Sequence, residues 1–450
     1  MSSPVLAPWE QMGGDRRLTS GDDGLVELTS ATPDQPKPSA DSITGLSLGT
    51  AADTGLPLIQ TATLQPTADS GDGLTGQSGG TQFSTGTNLY ILTLEDSGRP
   101  LSEQAKAVLG DVRPQGIFKN LGMVTARLTT AQAAALERRP GVLRVEADQQ
   151  VSIAWPEASS PPASQRKPGG GSTSPSTEVL DWGVRAVWGD KDRRSSSWSI
   201  NGRAFVLDTG ISGNTADLNF NTTLSRDFTG SLSGFYDRQG HGTHVAGTIA
   251  AQANNSRGVA GVAPNAEVVS VKVLNDRGSG SYSGIIAGID YMMGITKPGV
   301  VNVANMSLGG GFSMSLNDAI LKAAREKGIL FSLAAGNSYQ DVDSFSPASV
   351  GDASKGIYTI SAHDINKRNA SFTNFDRFGG TDVDNVAYAA PGVNITSLRI
   401  DGSTIAYSGT SMAAPHVAGL LLIGGFRSGT ASAFAYGSET RDPLAITNLA

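Results

Sequence analysis

Cysteine is absent from this chain of 450 residues, and histidine occurs only four times. The absence of cysteine excludes disulfides and thiolate metal sites. No apolar run approaches the roughly 20 residues of a membrane span, so we expect no membrane partner. The formal net charge of −7 argues against a nucleic-acid partner. With 38% apolar residues and this length, the chain can form two domains.

The most informative stretch runs from Gly409 to Gly419 and reads GTSMAAPHVAG. Gly409 permits a tight turn, Pro415 suits an early helical turn, and the small residues around it let a helix pack close to a sheet. The pattern predicts that Ser411 stands in the first turn of this helix, whose unpaired N–H groups can stabilise a developing oxyanion. Ser411 is therefore the candidate nucleophile.

Two further segments carry the groups that a serine nucleophile needs. Residues 205–210 (FVLDTG) read as a short apolar strand ending in Asp208, at the carboxyl edge where parallel sheets place functional groups. Residues 241–248 (HGTHVAGT) open a helix of small residues with His241 at its start. An imidazole can take the serine proton, and a buried carboxylate can hold the ring in the correct tautomer. His241 is the predicted base and Asp208 its partner.

These blocks, in the order Asp208, His241, Ser411, resemble the subtilisin family of serine proteases, and the body most resembles its subtilisin and proteinase K branches. Subtilisin is a standard example of this order, so the triad is a match to a known template. A fourth block, residues 328–337 (GILFSLAAGN), is an apolar strand ending in an amide. The resemblance assigns Asn337 to the oxyanion hole with the Ser411 N–H, whereas the alternative is that Asn337 caps a turn.

The resemblance also sorts the other histidines and suggests where substrate binds. His244 and His416 lie in helical motifs where the family keeps them for packing, and His363 reads as an ordinary loop or strand-end residue. The resemblance implies an exposed strand that pairs with the main chain of an extended substrate peptide, so that peptides of many sequences can bind. A pocket of small uncharged residues would favour a large apolar or aromatic side chain before the cleaved bond, unless its glycines form a flexible loop. The strand residues are Ser279, Gly280, Ser281 and Tyr282, and the pocket residues are Ser307, Leu308, Gly309, Ala334, Ala335 and Gly336.

The first 158 residues divide into two parts. Residues 1–87 are rich in Ser, Thr, Gly, Asp and Pro, and we predict that they are disordered because they cannot bury enough apolar surface. Residues 88–158 show a β-α-β-β-α-β order, in which Thr129 and Gln132 form a capping box. This α+β, ferredoxin-like pattern resembles the propeptide that subtilisins use as folding chaperone and inhibitor. The alternative is an unrelated small domain. The resemblance implies self-cleavage between Ile153 and Ala158.

The remaining chain is predicted to be an α/β domain. Residues 159–178 read as a flexible linker, and residues 179–430 alternate continuous apolar strands with helices. That alternation indicates a parallel sheet with helices on both faces, which is the subtilisin-like fold. Residues 431–450 are separated as a carboxyl-terminal tail, because the long helical close typical of the family is missing.

Residues 253–259 (ANNSRGV) resemble the calcium-binding loop of the subtilisin branch. The resemblance implies a structural calcium held by Asp217, Asn255 and the carbonyl groups of Ala253, Arg257 and Val259. The alternative is a plain surface turn. A second family site requires an aspartate where this chain has Ala387, so the sequence does not support it.

The sequence thus predicts a serine endopeptidase made as a self-processing precursor, acting as a monomer on proteins or peptides and inhibited by its own propeptide. The family implies secretion, although the first residues lack the apolar core of a signal peptide; a leaderless export route, a misassigned start and an intracellular role stay open. Two other functions stay open as well. The acyl-enzyme could pass to a peptide amine, as in a transpeptidase, or the propeptide could block a site that only binds.

Overall fold

A computed structural model describes residues 86–153, 178–376, 385–432 and 442–447. Residues 1–85 of the segment predicted to be disordered and residues 159–177 of the predicted linker lie outside this part of the chain. The predicted cleavage region lies outside it as well, except for Ile153. We call residues 88–153 the N-terminal module and residues 178–447 the main domain.

The N-terminal module contains the predicted β-α-β-β-α-β series. Its elements are β1 (Asn88–Leu94), α1 (Leu101–Leu109), β2 (Pro114–Phe118), β3 (Met123–Leu128), α2 (Thr130–Glu137) and β4 (Val142–Ala147). The four strands form an antiparallel sheet in the order β2-β3-β1-β4, which is the ferredoxin-like order. The predicted capping box starts α2, because Thr129 accepts from the Gln132 N–H and Gln132 accepts from the Thr129 N–H. A short strand, β5 (Gln150–Ser152), follows the sheet.

The main domain alternates strands and helices as predicted. Its first half contains α3 (Trp182–Val187), β6 (Gly202–Asp208), β7 (Asn219–Phe220), β8 (Arg226–Asp227), α4 (His241–Ala250), β9 (Glu267–Lys272), β10 (Ser279–Ser281), α5 (Tyr282–Ile295) and β11 (Val301–Met306). Its second half contains β12 (Gly310–Gly311), α6 (Met314–Lys327), β13 (Leu330–Ala334), β14 (Phe345–Ser346), β15 (Ile357–His363), β16 (Val386–Pro391), β17 (Ile395–Leu398), β18 (Thr404–Tyr407), α7 (Thr410–Leu422), β19 (Phe426–Ser432) and β20 (Pro443–Thr447).

The main sheet has the order β19-β20-β16-β15-β13-β11-β6-β9-β7, and the pairs from β20 to β7 are parallel. Strand β6 shows how both faces are covered. Ala204 and Val206 pack into the core that contains α4 and α7, whereas Phe205 and Leu207 pack into the core that contains α5 and α6. Because both faces of the strand are buried, its sequence is continuously apolar. The predicted α/β fold with helices on both faces is confirmed.

The carboxyl-terminal end extends this sheet. The boundary that we predicted at residue 430 falls inside β19, and β20, which we had separated as part of a tail, pairs parallel with β16. The side chain of Phe426 packs edge-on to Tyr358 and Tyr388, so apolar contacts hold this end against the sheet. None of the helices in the described ranges is long and apolar enough to cross a membrane.

Candidate active site

The four predicted catalytic residues lie at the carboxyl edge of the main sheet. Asp208 is the last residue of β6, and Asn337 follows the end of the parallel strand β13 by three residues. Ser411 is anchored to Ser307, the residue that follows β11, because the Ser307 hydroxyl donates to the Ser411 carbonyl at 2.8 Å. His241 begins α4 and lies against Asp208. Since β6, β11 and β13 run parallel, all four residues share one edge.

Asp208 and His241 form a buried hydrogen-bonded pair. The His241 Nδ1 atom lies 2.8 Å from Asp208 Oδ1 and 2.9 Å from Oδ2. Both side chains are almost fully excluded from solvent. The backbone N–H of Thr209 also donates to Asp208 Oδ1 at 2.7 Å, and this second contact fixes the carboxylate. This carboxylate therefore holds the His241 ring by its Nδ1 atom, so that Nε2 is the nitrogen left for proton transfer.

Ser411 is the second residue of α7, and the turn before it explains the glycine. Gly409 has φ 153°, outside the range that other residues favour, and it precedes the helix start at Thr410. The Ser411 Oγ donates to the Ser307 carbonyl at 3.3 Å. An ordinary helix would bond the Ser411 carbonyl to the N–H of residue 415, but Pro415 has none. The Ser307 hydroxyl donates to this carbonyl instead. Pro415, the sixth residue of the helix, thus leaves free the carbonyl by which Ser411 is anchored.

The helices of His241 and Ser411 pack directly on each other. An added Cβ on Gly419 would lie 3.3 Å from the Ile249 carbonyl oxygen. Ile249 follows His241 by eight residues, and Gly419 follows Ser411 by eight. Both helices also start at the same sheet edge, since His241 contacts Asp208 and the Thr410 N–H donates to Asn337.

Asn337 is fixed by the helix that carries Ser411. Its Oδ1 accepts from the Thr410 N–H at 2.8 Å and from the Thr410 hydroxyl at 3.0 Å. The neighbouring Gly336 has φ 108°, and a Cβ there would lie 2.3 Å from Asn374 Nδ2. Since Oδ1 is engaged with Thr410, the Nδ2 end of the amide is the end directed elsewhere. This geometry goes beyond a simple turn cap, because the amide is hydrogen-bonded to the first residue of α7, the helix that contains Ser411.

A cavity of about 120 Å³ adjoins Ser411. All six residues predicted for the side-chain pocket line it, together with Asn337 and Ser411, and no charged residue is among its lining residues. Leu308, Ala334 and Ala335 are buried, so the walls are apolar. The lining includes Ser307, Leu308, Gly309, Ala334, Ala335 and Gly336.

The predicted substrate strand is already paired with the N-terminal module. Strand β10 (Ser279–Ser281) pairs antiparallel with β5, and the Ile153 N–H donates to the Gly278 carbonyl at 2.9 Å. Gly280 has no room for a side chain, because a Cβ would lie 2.3 Å from the Val273 carbonyl oxygen. Tyr282 is different from its neighbours: it is the first residue of α5, fully buried, and its hydroxyl donates to the Gly311 carbonyl.

The predicted calcium residues form a buried polar cluster. Asp217 is 3% exposed, its Oδ1 accepts from Asn255 Nδ2, and its Oδ2 accepts from the Val259 N–H at 3.2 Å. The Arg257 N–H donates to Asn255 Oδ1 at 3.0 Å. Burial raises the pKa of Asp217 to about 6, and the nearby Glu178 carboxylate adds to the effect. Hence the buried negative charge of Asp217 is poorly compensated.

The backbone of the predicted calcium loop, residues 253–259, coils tightly around Asp217. Asn254, Ser256 and Gly258 all have positive φ, and they alternate with the predicted ligands Ala253, Asn255, Arg257 and Val259. A Cβ on Gly258 would lie 2.1 Å from Asp217 Oδ2, which explains the glycine. Glu178 was not among the predicted residues, and its carboxylate accepts from the Asn255 N–H at 3.0 Å. No local motif marks Glu178, because it reaches the loop from 77 residues away.

A second acidic group has a different location. Asp341, Asp343 and Asp376 offer carboxylate oxygens within 4.8 Å of one another. Asn385 donates to two of them, through its N–H to Asp376 and through Nδ2 to Asp343 at 2.8 Å. Carboxylate oxygens are the kind of ligand that Ca²⁺ binds.

The remaining histidines are buried as neutral groups. Burial lowers the pKa of both His244 and His416 to about 3. His244 Nε2 lies 3.0 Å from the Ile395 carbonyl oxygen, and His416 Nδ1 lies 2.8 Å from the Met412 carbonyl oxygen. His363 is the last residue of β15 and packs edge-on to Trp182. All three serve packing within the described structure.

Comparison with known protein sequences identifies one family for this chain. Residues 205–423 match the model of the subtilase family, peptidase S8. The chain is 32% identical to a thermostable alkaline protease of Halalkalibacterium halodurans, over 67% of this chain and 72% of that protein. It is 33% identical to proteinase R of Parengyodontium album, over 74% of this chain and 77% of that protein. A crystal structure of a cold adapted subtilisin-like serine proteinase aligns with TM-score 0.47 and 32% identity, over 61% of this chain and 100% of that chain. The identity and coverage of the two sequence relatives show that the chain belongs to the subtilase family of serine proteases.

Proposed function

We propose that this protease is an endopeptidase that works through Asp208, His241 and Ser411. The observation that carries the proposal is the contact of the Asp208 carboxylate with His241 Nδ1, at 2.8 and 2.9 Å, at the sheet edge that also holds Ser411. Such a contact fixes the tautomer in which Nε2 can accept a proton.

The reaction follows from these positions. Ser411 Oγ attacks the carbonyl carbon of the cleaved peptide bond while His241 Nε2 takes the hydroxyl proton. The Asp208 carboxylate stabilises the imidazolium, which then returns the proton to the leaving amine as the C–N bond breaks. Water attacks the resulting ester with His241 again as the base, and the carboxylic acid product leaves Ser411.

The proposed oxyanion hole consists of Asn337 Nδ2 and the Ser411 N–H. The N–H groups in the first turn of α7 have no partner within the helix, and the helix dipole favours negative charge there. Thr410 supports the arrangement because its N–H and hydroxyl hold Asn337 by Oδ1. Both donors are therefore fixed before the negative charge develops on the substrate oxygen, so no reorganisation is needed.

The pocket supports broad specificity with a preference for large apolar side chains before the cleaved bond. Its walls are small or apolar and carry no charge, so they offer no partner to a charged side chain. The main chain of the substrate would add to β10 through backbone hydrogen bonds, which do not select a sequence.

We further propose that the N-terminal module is an inhibitory propeptide. Its strand β5 pairs with β10, where the substrate would otherwise pair, and Val151 and Ile153 are buried against the main domain. Two carboxylates of the module cap helices of the main domain. Asp148 accepts from the Ser283 N–H at 2.9 Å at the start of α5, and Glu146 accepts from the Ser315 N–H at 2.9 Å at the start of α6. Negative charge at a helix N-terminus is stabilising, so these contacts favour the blocked state.

Self-processing is part of the same proposal. Because β5 pairs with β10 and the Ile153 N–H donates to the Gly278 carbonyl, Ile153 lies on the side of the site where substrate would bind. We place the cut within residues 153–158, at the end of a propeptide of residues 88–158. The protease would comprise residues 179–430 together with the rest of β19 and β20. The family further suggests secretion and action as a monomer on protein substrates.

Calcium is the proposed structural ion of the loop at residues 253–259. The residues fit, because a buried and poorly compensated carboxylate, Asp217, meets a coiled loop with an amide and several carbonyl groups. Asp217, Asn255 and the carbonyl groups of Ala253, Arg257 and Val259 would hold it, with Glu178 close by. Asn255 would have to present Oδ1 to the ion, whereas here its Nδ2 faces Asp217. The ion would neutralise the buried charge.

Labelling with a fluorophosphonate probe tests the proposal, because the probe reacts only with an activated serine. We expect the full chain to label at Ser411 after incubation that permits processing, and a Ser411→Ala chain to stay both unlabelled and uncut. A processed chain that fails to label would favour a binding protein blocked by its propeptide. A Ser411→Ala chain that still matured on its own would contradict self-cleavage. Adding a peptide amine to a labelled substrate separates hydrolysis from transpeptidation by the product formed.

A further inference from the structure

A buried carboxylate near the active site has no part in the reaction described above. Asp237 precedes His241 by four residues and is 3% exposed. Isolated buried carboxylates are costly, so their hydrogen bonds must offset the lost hydration. All of the hydrogen bonds that the Asp237 side chain accepts come from the start of α4 and the residues just before it.

The Asp237 side chain accepts four hydrogen bonds. Oδ1 accepts from the N–H groups of Gln239 and Gly240, both at 2.9 Å. Oδ2 accepts from the Thr243 N–H at 3.0 Å and from its hydroxyl at 2.6 Å. Gly240, at the N-cap position of α4, has no side chain to cap the helix. Asp237 supplies the missing cap, and its charge complements the positive end of the helix that begins with His241.

The same network reaches the turn that follows Asp208. The Thr243 hydroxyl accepts from the Ser212 N–H at 3.1 Å, and the Asp237 N–H donates to the Ile211 carbonyl at 3.2 Å. Close by, the Gly242 N–H donates to the Thr209 hydroxyl at 3.0 Å. Asp237 therefore binds two separate pieces of chain, one leading from Asp208 and one beginning with His241.

We propose that Asp237 is a positioning residue of the protease, which holds the His241 helix against the Asp208 turn through Thr243 and thereby sets the contact between the two catalytic side chains. The inference rests on the proposed function. Asp237 acts through other residues and does not touch the substrate.

The charge-neutral variant Asp237→Asn separates this role from simple packing. An asparagine has the same shape but one oxygen acceptor, so it can keep the two bonds of Oδ1 or the two bonds of Oδ2, but not all four. We expect kcat to fall about 10- to 100-fold, because displacement of a catalytic group by about 1 Å can cost on the order of 100-fold. KM should change less than about twofold, because the substrate strand and pocket are untouched.

Thr243 gives a second test that does not depend on folding of the Asp237 variant. Thr243→Ser keeps the hydroxyl and should retain activity, whereas Thr243→Val loses it and should lower kcat with KM unchanged. The effects of Asp237→Asn and Thr243→Val should be non-additive, because both break one connection. Asp352→Asn is the matched control: Asp352 likewise accepts from the N–H and hydroxyl of a neighbour, Ser354, but lies before the amino end of β15. It should leave kcat unchanged.

A proton NMR signal reports the geometry directly. The Nδ1 proton shared by His241 and Asp208 is strongly deshielded, and we expect its resonance to shift or broaden in Asp237→Asn and Thr243→Val but not in Asp352→Asn. Unchanged kcat and an unchanged resonance in both variants would overturn the inference, as would equal activity of Thr243→Ser and Thr243→Val. In that case an active wild-type enzyme would leave the proposed function intact. An inactive, unlabelled wild type would instead overturn both.

Discussion

Mild acid should destabilise this protease through α4 and α7, the two helices that carry the proposed base, His241, and the proposed nucleophile, Ser411. His244 in α4 and His416 in α7 are fully buried, and burial lowers the pKa of each to about 3. In the unfolded chain they titrate near 6.5. A lowered pKa in the folded state means that stability is complete above pH 6.5 and is lost as the pH falls towards 3.

The size of the effect follows from the shift. Between pH 6.5 and 4.5 the unfolded chain gains the proton of each histidine while the folded chain does not. Two pH units at 1.36 kcal/mol each give at most about 3 kcal/mol for one histidine. Two such histidines would cost about 6 kcal/mol, a large part of the 5 to 15 kcal/mol that stabilises a typical domain.

The assay is equilibrium unfolding in denaturant of Ser411→Ala protein, which cannot digest itself, at several pH values from 7.5 to 4.5. The variant His416→Gln keeps a neutral polar group but does not titrate. We expect the free energy of unfolding to fall by about 3 kcal/mol more in the Ser411→Ala protein than in the Ser411→Ala protein that also carries His416→Gln. Asp217, whose pKa is raised to about 6, responds in the opposite sense but equally in both proteins, so it cancels in the difference. Parallel curves for the two proteins would refute the reasoning.

Three further predictions concern catalysis, inhibition and calcium. Asn337→Leu should lower kcat by about 10² to 10³ with little change in KM, which is the loss known for an oxyanion donor in subtilisin itself; unchanged peptide hydrolysis would exclude Asn337 from the hole. Asp148→Ala removes two hydrogen bonds to Ser283, at about 1.5 to 3 kcal/mol for a bond to a charged group. The lag before activity appears in progress curves of the full chain should shorten at least about tenfold, and an equal lag would count against the capping role. Calcium at 100 times its dissociation constant should add about 2.7 kcal/mol, which raises the melting temperature of the Ser411→Ala protein by about 5 to 10 °C. Asp217→Asn should not respond to calcium or to its chelation, and an equal response in both would place the ion elsewhere.

Local patterns predicted most of the fold. Continuous apolar runs gave the buried parallel strands, because a strand covered on both faces has no polar side. Thr129 and Gln132 marked the start of a helix, because the capping box acts within four residues. Strands β19 and β20 were missed because they depend on distant partners: Phe426 of β19 packs against Tyr358 and Tyr388, and β20 pairs with β16. Such packing over long distances leaves no local period in the sequence.

The sequence by itself determined the chemistry: which hydroxyl, imidazole, carboxylate and amide are present, in what order, and on which kinds of element. Family membership is confirmed from those blocks. Only the tertiary structure decided which groups meet. It brought Asp208 to His241 and paired β5 with β10, the predicted substrate strand. It also turned the Asp148 carboxylate to a helix start and connected Asp237 to the segments that hold Asp208 and His241. These contacts join residues that lie on different elements, and hydrogen bonds of about 3 Å depend on the position of whole elements, which short sequence patterns do not specify.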